Sequence, residues 1–207
     1  MDDIIILGAS GHAKVIIDAL HCRNKEKKDY QNIFLLDDNE SLIGQTILGH
    51  RVMGKISDCE KYAADRFVIG IGNNRIRKMI AEQYQLNYIS VVHPSAVISE
   101  DADIAEGTVV MAGAVINPGV RIGKHCIINT AVTVDHDCWL EAYVHLSPGV
   151  HLSGTVHIGE ETWLGTGSNV KNNLTIADHV MTGVGSVVVK DLKEAGTYVG
   201  IPANRIK

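Results

Sequence analysis

Val97-Ile98-Ser99-Glu100-Asp101-Ala102-Asp103-Ile104-Ala105-Glu106-Gly107-Thr108-Val109-Val110 opens a run that continues in blocks of six to about Lys190. The first position of each block reads Ile98, Ile104, Val110, Ile116, Ile122, Ile128, Val134, Leu140, Leu146, Leu152, Ile158, Leu164, Val170, Ile176, Thr182 and Val188. All but Thr182 are branched aliphatics, and the frame never slips. The fifth position is equally restricted, running from Ala102 and Thr108 through Cys126, Cys138 and Val150 to Ser186. A helix needs apolar residues every three or four positions, and simple alternation does not select one aliphatic in six. A strict six-residue repeat predicts a parallel β-helix in which each block is a short strand and a turn. Three blocks close one triangular coil. Residues 18 apart then stack on the same edge, separated by the ordinary strand spacing of roughly 4.8 Å.

The 207-residue chain has room for two modest domains. Its 45% apolar content supports a real core, and 5% aromatic residues suit a coil interior filled by small and branched side chains. A net charge of −5 argues against a nucleic-acid partner. The mixed run Lys25-Glu26-Lys27-Lys28-Asp29 reads as a solvated helix end or loop. No stretch approaches the roughly 18 apolar residues of a membrane span. The acidic Asp2-Asp3 start lacks a basic leader region. Cys22, Cys59, Cys126 and Cys138 have no metal or redox spacing, so the expected location is the cytoplasm.

Residues 1–92 alternate strand and helix signals, which predicts a small Rossmann-like α/β domain, and 93–207 form the coil, with Pro94 and Ser95 at the boundary. The apolar run Ile4-Ile5-Ile6-Leu7-Gly8 reads as a buried strand, followed by Ala9-Ser10-Gly11-His12 and a helix over 13–20. Strand, glycine turn and helix N-terminus present backbone N–H groups to an anion. The full dinucleotide fingerprint is absent, because Ser10 stands where its second glycine belongs. A second strand over 33–36 ends in Asp37-Asp38, placed to accept hydrogen bonds from a ribose or base, or simply to form a solvated loop. A third over 67–72 leads to Asn73-Asn74, N-cap material for a helix over 75–84. A fourth is expected over 88–92.

This layout resembles the hexapeptide-repeat sugar acyltransferases of the bacillosamine/perosamine N-acetyltransferase and sialic acid O-acetyltransferase group. The motifs that carry the resemblance are Gly8-Ala9-Ser10-Gly11-His12, Leu36-Asp37-Asp38, Ile71-Gly72-Asn73-Asn74, Val134-Asp135-His136-Asp137-Cys138, His145-Leu146-Ser147-Pro148-Gly149 and Val199-Gly200-Ile201-Pro202-Ala203. The resemblance implies a left-handed β-helix, a homotrimer, acetyl-CoA as co-substrate, and a nucleotide-linked sugar on the N-terminal domain. It assigns His136 as catalytic base and Asp137 as its partner acid. It puts His145, Thr166 and Val184 along the coenzyme, and Ser10, Gly11, His12, Asp37, Asp38, Gly72, Asn73 and Asn129 on the sugar nucleotide.

From the residues alone, His136 between Asp135 and Asp137 is either an exposed turn histidine or a base whose tautomer a carboxylate sets, and either carboxylate is a candidate. His145, His151 and His157 share the sixth block position, so they face three sides of the prism and cannot converge on one metal within a chain. No metal is expected. His151 and His157 read as solvated turn residues, and His125 and His179, at fourth positions, as outward-pointing. Cys126 and Cys138 read as small buried fillers. The resulting expectation is direct acetyl transfer to a sugar amine. The alternatives are sugar O-acetylation, a γ-carbonic-anhydrase-like metalloenzyme and a non-catalytic sugar-nucleotide binder.

Overall fold

The computed structural model describes residues 3–28, 30–62 and 65–207, leaving out the side chains of Glu26 and Lys27. Of the run Lys25–Asp29, the reading at Asp29 and at those two side chains lies outside the described residues, as does that at Asp2.

The first strand, β1 (Ile4–Leu7), is buried on both faces between β2 (Ile33–Leu36) and β5 (Arg66–Ile69), both parallel to it. That double burial is why it carries four consecutive aliphatics. Beyond β2 lie β4 (His50–Gly54), parallel to it, and the antiparallel edge strand β3 (Thr46–Ile47). The order β3-β4-β2-β1-β5 is an open α/β sheet. The helix α1 (Gly11–Lys27) is longer than the apolar spacing predicted, and α2 (Asn74–Gln83) starts where the Asn73 side chain accepts the Ile76 N–H.

The coil follows the six-residue frame. Its first face carries Val91–Val92, Val109–Val110, Ile127–Ile128, His145–Leu146, Trp163–Leu164 and Val180–Thr182, with the chain terminus adding two more strands. The second carries Val97–Ile98 through Thr133–Val134 to Val187–Val188, and the third Asp103–Ile104 through Trp139–Leu140 to Thr175–Ile176. Pairing runs between residues 18 apart, as in Ile127 with His145 and Thr133 with His151. The fold is therefore an α/β domain followed by a parallel β-helix. At Thr182, the one first-position departure, the buried hydroxyl accepts the Gly165 N–H at 2.9 Å and bonds Ser168 at 2.8 Å.

One expectation needs correction and another needs an addition. The strand expected over 88–92 is divided. Tyr88 bridges to Phe67 on the N-terminal sheet, whereas Val91–Val92 hydrogen-bonds into the first coil face. His125 points outward from the coil as expected, but it is 2% exposed. The first face is covered by the N-terminal domain, whose core residues Ile4, Ile6, Ile16 and Leu20 share one cluster with Val109, Met111 and Ile127. His125 therefore runs into Tyr88, edge-on at 4.7 Å, and stacks on Tyr143 at 5.5 Å.

Candidate functional site

Each turn of the coil holds its fourth residue in the left-handed region, from His125 (φ 54°) through Asp137 (φ 58°) to His179 (φ 54°). Its N–H donates to the third residue of the coil before. Asp137 N–H thus donates to the Pro118 carbonyl at 3.1 Å, and His136 receives Thr155 N–H at 2.9 Å. These bonds fix the backbone of His136 and Asp137 from both sides. Asp suits the slot, being among the few non-glycine residues that tolerate it.

His136 Nδ1 donates to Asp137 Oδ2 at 2.8 Å, which leaves Nε2 with its lone pair facing solvent. Asp137 therefore orients the ring. Asp135 is engaged otherwise, accepting the His136 N–H and an Asn117 Nδ2 hydrogen, each at 2.8 Å. The bond to Asp137, with the charge of Asp135 adding, holds the His136 pKa above its ordinary 6.5. Glycines make room for the pair. A Cβ on Gly154 would lie 2.5 Å from His136 Nε2, and one on Gly119 would lie 2.6 Å from Asp137 Oδ1.

This corner, between the second and third faces, is opposite the first face, where the N-terminal domain sits. There, beyond the C-terminal ends of β2 and β5, a cavity of about 340 Å³ is lined by Asp37 and Asp38 on one side and Ile71, Ile76, Met79 and Tyr84 on the other. Asp37 also braces the loop between β1 and α1, accepting Ala9 N–H at 2.7 Å and Asn39 N–H at 2.8 Å. Asp38 accepts Ile56 N–H at 3.0 Å. Ser10 caps α1 without a side-chain bond, so the N-terminal amides of α1 stay open next to exposed Gly11.

Between this domain and the coil lies a buried polar junction. His145 stacks on Trp163 at 4.9 Å and donates from Nδ1 to the Gly72 carbonyl at 3.1 Å. His12 lies 6.4 Å away, ring centre to ring centre. Burial, reinforced by the charge of Arg77, pulls His12 and His125 down to about 4. The same two causes, with His12 adding, pull His145 down to about 3. Gly72, His12 and His145 are thus brought together. Thr166 and Val184 are exposed and stack on the turn leaving the first face, where Gly185 N–H donates to the Thr166 carbonyl at 2.8 Å. Asn129 is two coils below Thr166 on that edge, its Oδ1 accepts the Thr130 N–H, and no hydrogen bond joins it to the N-terminal loops among the described residues.

The sequence reading overlooked Asn117, Gly119, Gly154 and Arg77. The first three stand 18 residues from Asp135, Asp137 and His136, so the stacking rule alone would have found them. His145, His151 and His157 lie on the first, second and third faces, so they do not converge within one chain. His157 stacks on Trp139 at 4.6 Å rather than standing free. Burial pushes Cys126 up to about 12, consistent with an inert filler. Among the described residues, Asp18, Cys22 and His93 have donor atoms within 4.8 Å of one another. Ser95 N–H donates to His93 Nδ1 at 3.0 Å, however, so His93 Nε2 carries the hydrogen and has no lone pair for an ion.

Residues 3–84 match the PglD N-terminal domain family. The whole chain is similar to the acetyltransferase domain of PglB from Neisseria gonorrhoeae, at 36% identity with full coverage of both chains and a TM-score of 0.92. That domain has also been solved in complex with acetyl coenzyme A. PerB from Caulobacter crescentus, solved with CoA and GDP-perosamine, is 34% identical over 100% of this chain and 98% of that one, with a TM-score of 0.90. The UDP-N-acetylbacillosamine N-acetyltransferase of Bacillus subtilis is 37% identical over 117 residues, 54% of this chain. The match spans about half (52%) of that relative's length.

Proposed function

The chain belongs to the hexapeptide-repeat sugar acyltransferase family, and from that premise we propose that it transfers acetyl from acetyl-CoA to the amine of a nucleotide-linked 4-amino-deoxysugar. The observation that carries this reading is the His136–Asp137 pair, whose tautomer leaves Nε2 unprotonated at the surface. His136 Nε2 removes a proton from the amine as the nitrogen attacks the thioester carbonyl. Asp137 stabilises the imidazolium, and the tetrahedral intermediate collapses to expel the CoA thiolate, which takes the proton back. Backbone N–H groups of the coil turns are the donors for the developing oxyanion. A sugar amine is an ammonium at neutral pH and loses one proton to solvent to become the neutral nucleophile, so His136 Nε2 has only the second proton to accept.

The acceptor belongs in the Asp37–Asp38 cavity. Its carboxylates suit ribose or base hydrogens, its aliphatic wall suits a base face, and the open α1 N-terminus suits phosphate. Acetyl-CoA then runs along the Thr166 and Val184 edge past His145. The base corner is opposite the face that the same chain's N-terminal domain covers. We therefore infer a homotrimer in which the site is assembled from two chains, closed about a threefold axis.

The test is CoA-thiol release from acetyl-CoA with a panel of UDP- and GDP-4-amino sugars, hydroxyl-only nucleotide sugars and sialic acids. Turnover confined to the amino sugars supports the reading. Turnover with hydroxyl acceptors would move the protein to the O-acetyltransferases, and none with any acceptor would leave a binding protein.

A further inference from the structure

Arg77 is 1% exposed, yet none of its hydrogen bonds is to a carboxylate. Its Nε donates to the His125 carbonyl at 2.7 Å, Nη1 to those of Ile71 (3.1 Å) and Gly72 (3.2 Å), and Nη2 to Asn74 Oδ1 (2.8 Å) and the Tyr143 carbonyl (2.9 Å). All five N–H donors are used, and all five acceptors are neutral. A buried guanidinium without a counter-ion carries a desolvation cost that a neutral side chain would avoid. Two of its acceptors are on the coil and three on the segment entering α2, so it bolts the Ile71–Asn74 segment to the first coil face.

The Gly72 carbonyl is where this bolt meets the site, since it also takes the His145 Nδ1 hydrogen. A carbonyl only accepts, so His145 is protonated at Nδ1 and its Nε2 is a bare acceptor. That Nε2 is buried and has no partner among the described residues, and His12 Nε2 nearby is also unpartnered. Buried polar atoms are rarely left unpaired, and one that is points to a missing ligand or water.

We propose that Arg77 is a positioning residue: by pinning the Gly72 carbonyl it holds His145 in the tautomer whose Nε2 accepts a hydrogen bond from a substrate N–H. Resting on the reading above, the donor is an amide N–H of the pantetheine arm of acetyl-CoA. A lysine cannot substitute, because a single ammonium with three hydrogens cannot span five acceptors in a planar fork.

The first test needs no variant. In wild-type protein with ¹⁵N-labelled imidazoles, His145 should be protonated at Nδ1 only and should not titrate between pH 5 and 8. An Nε2-protonated His145, or one that titrates there, overturns the proposal whether or not the protein acetylates sugars. In Arg77→Lys, the His145 signal should show mixed tautomers and KM for acetyl-CoA should rise about tenfold, the worth of one well-made hydrogen bond. His145→Asn should give a similar rise, and the double variant no further one, because both remove the same contact. Additive losses, or Arg77→Lys with an unchanged His145 signal, would reduce Arg77 to a structural bolt. If wild type shows no acetyl transfer, the catalytic reading fails while the tautomer result still decides the role of Arg77.

Discussion

Gly154→Ala separates the chemistry of the His136 corner from its stability. Gly154 does not have a positive φ, so alanine is acceptable to the backbone there. Its new Cβ would lie 2.5 Å from both Cε1 and Nε2 of His136. Ordinary contact is about 3.5 Å, so the ring has to move by about 1 Å. The His136 side chain is 58% exposed, so it can swing outward at little cost, and the melting temperature should change by no more than a surface substitution changes it. Catalysis is less forgiving. A misplacement of about 1 Å costs on the order of 10²-fold in rate, and here it also breaks the 2.8 Å bond that sets the tautomer. The assay is CoA-thiol release at saturating acetyl-CoA and nucleotide sugar, with thermal unfolding in parallel. We expect kcat to fall roughly 10²-fold with the unfolding midpoint nearly unchanged. In a His136→Ala background the same glycine substitution should do nothing more. A Gly154→Ala enzyme with wild-type kcat would refute the assignment of His136 Nε2 as the proton acceptor.

Asp137→Asn keeps a residue that tolerates the φ of 58° and removes only the charge, so the acid limb of kcat/KM should shift to lower pH, toward 6.5. An unmoved limb would assign that ionisation to another group. His12, His125 and His145 stay neutral in the fold down to about 4, 4 and 3 but take up protons near 6.5 when unfolded, so stability should fall as pH drops below about 6.5. Denaturant midpoints that are level from pH 7.5 to 5 would contradict this. Inactive His136→Ala mixed with a coenzyme-edge variant such as Thr166→Trp, after dissociation and reassembly, should regain part of the activity. No recovery in mixed trimers verified by mass would assign each site to one chain.

The period of six and the stacking at 18 were both legible because coil register is purely local, repeated with no insertion. The packing of the N-terminal domain was not, since the residues it buries on the first face, such as Ile127 and Val109, also occur on faces that stay open. The burial of His125 was hidden for that reason: block position gives direction from the prism axis but not what lies there. Arg77 was invisible for a related reason. In the helix over 74–83 it is one of two arginines and a lysine within four residues, and only the tertiary contacts distinguish it from Arg75 and Lys78. The choice between Asp135 and Asp137 needed side-chain geometry, because both flank the ring equally in sequence.

The coil also explains why the proposed chemistry falls at one corner among many alike. From Gly107 to Gly185 every turn offers a third position beside a left-handed fourth position, and His136-Asp137 is the one pair that puts an imidazole before a carboxylate there. The pair alone is insufficient, because coils stack at roughly 4.8 Å and a side chain on the next coil would fill the space the ring requires. Glycine occurs above the histidine at 154 and below the aspartate at 119, while Asn117 ties back the second carboxylate at 135. A periodic fold thus becomes a site by removing side chains at two stacked positions and adding one clamp at a third. The same logic makes the corner sensitive to substitutions that leave the coil intact.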